Sequence, residues 1–222
     1  MHSHSPSHES PAQTEGRLIR WASFYDLTVN LMTFGHARTL RSQTIDQALL
    51  KPGDSVLDVG CGTGAVAIPA KLRVGKNGKA AGIDPAPEMI AVAREKARRA
   101  GLEIDFRVGV IESLPFADNT FDAVTSSLMM HHLTDDLRVR GLAEIWRTLK
   151  PGGRIVIADM RRPEGSAFKK FFTAAILHHG HVVQFGLQDL KPLLKDAGFE
   201  NVEQMEGGML TIGFVRAVKP VK

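Results

Sequence analysis

Glycines alternate with small residues directly after a short apolar run that carries one carboxylate, Asp58. The run and the glycines occupy residues 56–64, read as Val-Leu-Asp-Val-Gly-Cys-Gly-Thr-Gly. An apolar run ended by glycines is typical of a buried parallel strand that enters a tight turn. Glycine adopts positive φ and lets a ligand approach the backbone, and a helix after the turn points free N–H groups at an anionic group. This stretch is therefore a candidate ligand-binding loop.

Two classes of ligand use such a strand–turn–helix unit. Gly60, Gly62 and Ala65 fit the dinucleotide fingerprint G-x-G-x-x-G/A. The other ligand is S-adenosylmethionine, and Asp58 favours it because a carboxylate fits poorly beside a pyrophosphate but well beside an ammonium and a sulfonium. A nicotinamide enzyme would also need a hydride-site pair such as Tyr and Lys, and the only tyrosine, Tyr25, precedes the predicted sheet. A turn that binds nothing is the third interpretation.

A second carboxylate, Asp84, ends the next predicted strand, residues 79–84. It follows Gly60 at about the spacing of a ribose-binding acid, and its two oxygens can accept from both ribose hydroxyls. Pro85-Ala86-Pro87 then opens a helix, at a position where a missing N–H costs little. Met89 lies at the start of that helix, where it either flanks an adenine ring or packs in the core.

Two histidines follow the fourth predicted strand, at the carboxyl edge where a transferred group would lie. His131 and His132 come directly after Met129-Met130. Imidazole groups suit general base catalysis near neutral pH, but a histidine here can also cap the next helix. The sequence does not decide between the two. A further group, His178-His179-Gly180-His181, lacks Cys, Asp or Glu at ligand spacing, so no metal site is predicted.

The composition is that of a globular protein, with 222 residues, 43% hydrophobic, 23% charged and a net charge of +4. This length suffices for one α/β domain with a full core. The charge is mild, and basic and aromatic residues do not interleave as on an RNA-binding surface, so no nucleic-acid partner is predicted. One cysteine excludes an intrachain disulfide, and no apolar run reaches the ~20 residues of a membrane span. We therefore expect a cytoplasmic protein.

Strand and helix patterns alternate along the chain. They predict an α/β fold with a doubly wound, mostly parallel seven-stranded sheet, an antiparallel edge strand and ligands at the carboxyl ends of the strands. Helices are predicted over residues 37–50, over 65–74 with a kink at Pro69, and over 187–197 with Pro192 near the start. Two further helices are predicted, one that starts at Pro87 and one that runs from an N-cap at Thr134 through residue 149. Strands are predicted from 56 and over 79–84, 104–108, 121–126, 154–159, 199–204 and 209–217, the last two around Gly207-Gly208.

The chain is predicted to hold a polar N-terminal tail, residues 1–15, and a single domain, residues 16–222. Two segments, 18–32 and 167–185, are too apolar for surface loops. We interpret them as covers over the site of an acceptor, the molecule that would receive a transferred group. The first segment would form N-terminal cover helices. Both segments contain Arg or Lys. That mixture fits a hydrophobic acceptor met at a membrane surface, and it fits equally a helix pair buried in a homodimer.

Four stretches, in order and spacing, resemble class I S-adenosylmethionine-dependent methyltransferases. They are residues 56–64, 82–85, 114–116 with 121–122, and 149–153. Tyr25-Asp26-Leu27 and residues 32–35 are similar to the start of the ubiquinone/menaquinone C-methyltransferases. The resemblance covers about residues 21–163 and resumes near 197–199. It implies a methyltransferase with S-adenosyl-L-methionine as the donor.

The resemblance also assigns residues to the donor. They are Asp58, Gly60, Gly62, Thr63 and Gly64 for the methionine part, Asp84 for the ribose, Val110 and Ile111 for the adenine, Ser127 beneath the donor and Tyr25 above it. The family often has Asp or Asn at the position of Val110, so adenine would be held here by the backbone of Ile111 and by packing. The segment between Pro163 and Leu187, which shapes the acceptor pocket in the quinone enzymes, is shorter here.

The favoured prediction is a C- or O-methyltransferase that acts on a hydrophobic small molecule with a histidine base. An N-methyltransferase of an amine or a phospholipid head group is the alternative, since it would need little base catalysis. A protein that binds S-adenosylmethionine without catalysis is the alternative from another class. No pattern in the sequence names the acceptor.

Overall fold

Strands and helices alternate in the computed structural model, which describes residues 30–31, 35–161, 185–209 and 211–221. The strands are β1 (Ser55–Val59), β2 (Lys79–Asp84), β3 (Asp105–Val108), β4 (Phe121–Ser127), β5 (Leu149–Met160), β6 (Glu200–Met209) and β7 (Ile212–Val218). The helices are α1 (Ala37–Gln47), α2 (Ala67–Val74), α3 (Pro87–Arg99), a 3-10 turn (Met130–His132), α4 (Asp135–Thr148) and α5 (Leu187–Asp196). The predicted tail, Tyr25 and nearly all of both predicted cover segments lie outside the described residues.

The seven strands form a sheet in the order β3-β2-β1-β4-β5-β7-β6. The first five strands are parallel, and β7 runs antiparallel to both β5 and β6, so the predicted mostly parallel sheet with an antiparallel pair at one edge is confirmed. Gly207-Gly208 lies inside β6 rather than in the turn, and the register with β7 is irregular between Met205 and Met209. The strand order reverses between β1 and β4. In such sheets the crevice at that point binds ligands.

Both faces of the sheet are covered by helices, which explains why its strands are apolar without alternation. On one face, Leu57 of β1 and Ile155 of β5 belong to a buried cluster that includes residues of α4 and α5. On the other face, Val56 and Val156 pack with residues of α1 and α2. Consecutive residues of one strand therefore enter different cores.

Two prolines and one glycine-rich stretch lie elsewhere than predicted. Because α2 begins at Ala67, Pro69 falls in its first turn, where N–H groups need no helical partner, and the expected kink is not required. Pro192 lies inside α5 rather than near its start. Residues 150–153 end α4 as expected but belong to β5, which begins at Leu149 rather than at 154.

Two kinds of feature are not found in the described ranges. No helix there is long and apolar enough to cross a membrane. The same residues hold no group of three or more His, Cys, Asp or Glu side chains placed to bind a metal ion.

Candidate active site

The loop between β1 and α2 depends on glycine at three positions. Gly60, Gly62 and Gly64 have φ of +71°, +50° and +78°, in a region that other residues rarely adopt. A Cβ on Gly60 would lie 2.4 Å from Cγ of Met129, which follows β4, and a Cβ on Gly64 would lie 2.9 Å from the Phe106 ring. Gly60 therefore lets the loop pack closely against Met129 at the switch point between β1 and β4, and Gly64 lets it pack against the Phe106 ring of β3.

Asp58 is buried beneath this loop, with 2% of its surface exposed. Its carboxylate accepts a hydrogen bond from Thr125 Oγ1 at 2.8 Å and another from the backbone N–H of Ala67. Burial raises the pKa of Asp58 to about 7, although both hydrogen bonds lower it, and the nearby charge of Asp84 raises it slightly further. A carboxylate that is costly to ionise in isolation is a suitable partner for a cationic ligand.

A cavity opens beside Asp58 at the carboxyl ends of β1 and β4. Its lining comes from α1, from the glycine loop and from the end of β4, and it comprises Ala37, Leu40, Arg41, Asp58, Gly60, Cys61, Gly62, Ala65, Val66, Ser127 and Leu128. Ser127 thus faces the loop across the switch point. Arg41 was not predicted from the sequence. It reaches the cavity only because α1 packs across β4 and β5, and no local motif marks it.

Asp84 holds the glycine loop to the start of α3. Its Oδ2 accepts from the Gly62 N–H at 3.0 Å and its Oδ1 accepts from the Ala86 N–H at 2.9 Å. Burial raises the pKa of Asp84, and these two N–H donors oppose that shift. Each oxygen keeps a further acceptor site, so the side chain can still accept from a hydroxyl at the end of β2.

Three other residues assigned to the donor have buried side chains. The Thr63 hydroxyl accepts from Nζ of Lys96 at 2.9 Å, which connects the loop to α3. Met89 is buried in a small apolar cluster at the start of α3. The side chain of Ile111 packs against Gly141 of α4, where a Cβ would lie 2.6 Å from it. The structure therefore shows Met89 and Ile111 in packing contacts and Thr63 in a hydrogen bond within the protein.

The turn after β3 lies beside the end of β2. The Gly109 N–H donates to the Asp84 carbonyl at 3.1 Å, and Val110 forms an isolated bridge with Ser113. Val110 and Pro85 are both half-buried. The turn with the positions assigned to the adenine is thus next to Asp84, the residue assigned to the ribose.

His131 is held by a buried carboxylate that was not singled out from the sequence. Asp159, at the end of β5, is 1% exposed, and its Oδ1 lies 2.6 Å from Nδ1 of His131. Its Oδ2 accepts from the His131 N–H at 3.2 Å, and Oδ1 also accepts from the Met160 N–H at 2.7 Å. An acceptor-only carboxylate requires the proton on Nδ1, so Nε2 of the neutral ring carries the free lone pair.

The two histidines that the sequence left equivalent therefore differ in their surroundings. Their rings stack with centroids 3.9 Å apart and planes at 44°. The ring of His131 contacts Asp159. The sequence did offer one signal for Asp159, since it ends a predicted strand as Asp58 and Asp84 do.

Known proteins are similar to this chain along most of its length. A family model described as a methyltransferase domain matches residues 56–153. The chain is 32% identical over 215 residues to a ubiquinone/menaquinone biosynthesis C-methyltransferase of Cronobacter sakazakii, covering 86% of this chain and 85% of that protein. It is 31% identical over 231 residues to the enzyme of the same name from Francisella tularensis subsp. novicida, covering 93% and 92%.

Solved structures share the fold at lower identity. An S-adenosylmethionine-dependent methyltransferase from Aquifex aeolicus has a TM-score of 0.68 at 24% identity, covering 87% of this chain and 97% of that one. The [4+2]-cyclase SpnF has a TM-score of 0.67 at 22% identity, covering 83% and 81%. These two matches show the fold alone, which hosts more than one chemistry. The sequence relatives, however, match over nearly their whole length, and the chain therefore belongs to the class I S-adenosylmethionine-dependent methyltransferases, in the family of the ubiquinone/menaquinone biosynthesis C-methyltransferases, with S-adenosyl-L-methionine as its methyl donor.

Proposed function

We propose that this enzyme methylates a carbon or an oxygen of a hydrophobic, quinone-like small molecule and that His131 is the general base. The observation that carries the proposal is the 2.6 Å contact between His131 Nδ1 and the buried carboxylate of Asp159. A phenolic oxygen, or a ring carbon beside one, must lose a proton when it is methylated, whereas a neutral amine can attack without a base. The dyad therefore favours C- or O-methylation over N-methylation. The names of the sequence relatives support a quinone-like acceptor.

In this reaction the protein positions the reactants and takes up one proton. When bound, S-adenosylmethionine supplies an electrophilic methyl group on a good leaving group. Asp159 keeps the Nδ1 proton in place, so Nε2 accepts the proton that leaves the acceptor. The ionised carboxylate then stabilises the imidazolium that results.

We propose that the donor binds across the switch point, between the glycine loop and Ser127. Gly60 and Gly62 line the cavity beside Asp58, and the buried carboxylate of Asp58 fits a ligand with a cationic end. Arg41 lines the same cavity and offers a cation to the carboxylate of the donor. Asp84 would accept from the ribose, with adenine beside the turn at Val110 and Ile111. In this proposal the loop presents its backbone, and Thr63 and Gly64 act mainly through the shape of the loop.

We also propose that residues 16–222 act as one domain after the polar tail. One sheet that extends from Ser55 to Val218 and relatives that cover up to 93% of the chain support this. A cytoplasmic location, contact with a membrane surface and a homodimer are proposals from the sequence alone.

A labelled donor and a panel of acceptors test the proposed reaction. The protein is incubated with S-adenosylmethionine that carries a deuterated methyl group, together with a reduced quinone, a phenol and an amine with the same apolar tail. We expect the label on carbon or oxygen, located by mass spectrometry and NMR. A labelled amine as the sole product would overturn the proposal.

The affinity for the donor should depend on the ionisation of Asp58. Because the pKa of Asp58 is about 7, above its ordinary value, the neutral acid predominates below that pH and the carboxylate above it. If a cationic donor binds only the carboxylate, its Kd should fall roughly eightfold between about pH 6 and pH 7.5. Calorimetric titration at these two pH values measures the change.

The Asp58→Asn variant is the control, since its amide keeps the shape and cannot ionise. It should bind the donor more weakly at pH 7.5 and show little change in Kd between the two pH values. The ligand's own amino group titrates equally in both experiments. Equal pH dependence in variant and wild type would show that Asp58 is not the group responsible.

A further inference from the structure

Arg138 of α4 is a charged residue in the protein interior. It is 5% exposed, its Nε donates to the Met130 carbonyl at 3.0 Å, and its guanidinium carbon lies 3.4 Å from the centre of the Phe185 ring. It also pairs with Asp135, which is 94% exposed on its side chain. Because Asp135 is so exposed, Arg138 could form this ion pair without being buried. Burying a guanidinium costs free energy. Inside the protein, the partners of this charge are the Met130 carbonyl and the Phe185 ring.

Met130 begins the 3-10 turn that carries His131. Asp159 of β5 holds this turn through the backbone N–H and the ring of His131. Arg138 of α4 holds it through the Met130 carbonyl, which also accepts from the Leu133 N–H within the turn. The backbone that carries the imidazole is thus held by contacts from both a strand and a helix.

The charge of Arg138 also acts on the carboxylate of Asp159. Burial lowers the pKa of Arg138, and the carboxylates of Asp135, Asp159 and Asp189 oppose that shift. The guanidinium and the carboxylate of Asp159 therefore attract each other. The same carboxylate orients the His131 ring.

We propose that Arg138 is a positioning residue for the methyl transfer, which keeps Nδ1 of His131 on Asp159 and Nε2 free for the acceptor. The inference rests on the proposed role of His131 as the base. Arg138 does not itself touch a reactant in this proposal. It acts through the Met130 carbonyl and through the charge of Asp159.

The test compares two arginines of the same helix. Arg147 is also partly buried and donates to two backbone carbonyls, those of Leu114 and Phe116, but it lies far along α4 from the 3-10 turn. Arg147 also pairs with Glu144 and Asp118, so Arg147→Met removes more polar contacts than Arg138→Met does. Only Arg138→Met removes a contact with the turn that carries His131. The measurements are kcat, the Kd of S-adenosylmethionine, and the NMR signal of the His131 Nδ1 proton, assigned by its loss in His131→Gln.

We expect Arg138→Met to lose or shift this proton signal and to lower kcat by about ten- to a hundredfold, the scale of a misplaced catalytic group, with the donor Kd within about twofold. Arg147→Met should keep the signal and kcat. Arg138→Lys, which restores the charge, should recover part of both and serves if the methionine variant does not fold. An unchanged signal and kcat in the folded Arg138 variant would overturn the inference. If His131→Gln stays active, the role of His131 as base fails, while the proton signal still reports whether Arg138 positions the ring.

Discussion

Replacing His131 by glutamine should lower kcat for methyl transfer by about 10²- to 10⁴-fold, the range that general base catalysis contributes. Glutamine can donate to Asp159 but cannot take up a proton. The Kd of S-adenosylmethionine should not change, because His131 is not among the described residues that line the cavity beside Asp58. Turnover at saturating donor measures the first effect, and calorimetry measures the second.

Two further variants make this result specific. His132→Gln alters the stacked neighbour and should change kcat by no more than a few-fold. Asp159→Asn should lower kcat nearly as far as His131→Gln, because an amide that donates to Nδ1 places the ring proton on Nε2, the atom that must accept. A damaging His132→Gln beside a harmless His131→Gln would assign the base to the other ring. Full activity in both would indicate an acceptor that needs no base.

Gly60→Ala should raise the Kd of S-adenosylmethionine and lower the free energy of unfolding by about 2–5 kcal/mol. The φ of +71° costs an L-residue about 1–2 kcal/mol, and the new Cβ would lie 2.4 Å from Met129 Cγ, an overpacking that typically costs about 1–3 kcal/mol. Either the loop or the Met129 side chain must move to relieve the clash, and both lie at the switch point where we propose that the donor binds. Urea unfolding and calorimetric titration measure the two effects.

Gly75→Ala is the matched control for this substitution. Gly75 has nearly the same φ, +75°, but nothing lies within 4 Å of a Cβ built there. Its φ of 75° and ψ of −167° lie in a region that is essentially limited to glycine, so the variant should lose about 1–3 kcal/mol from backbone strain alone. It should bind the donor normally. If Gly60→Ala binds the donor as well as Gly75→Ala does, the close packing of the loop at Gly60 is not needed for the donor site.

Much of the scaffold follows from local sequence. The bounds predicted for β2, residues 79–84, are those observed, and Thr134 caps α4 as predicted, with its side chain accepting from the Leu137 N–H. The end of β5 was predicted correctly to within a residue, but its start was not. Residues 150–153 pair with the chain after β7, where the Gly152 N–H donates to the Lys219 carbonyl at 2.9 Å. That pairing extends the strand through a stretch whose composition is typical of a turn.

By itself, the sequence determined the alternation of strands and helices, the glycine loop and the acids Asp58 and Asp84 at the ends of strands, because these depend on residues close together in the chain. Only the tertiary structure decided which histidine meets a carboxylate, since Asp159 is 28 residues from His131 and lies on the neighbouring strand. It also decided that Arg41 reaches the cavity and that Arg138 lies behind the 3-10 turn. Strand order and helix packing bring these side chains together, and no local pattern of residue types encodes those distances.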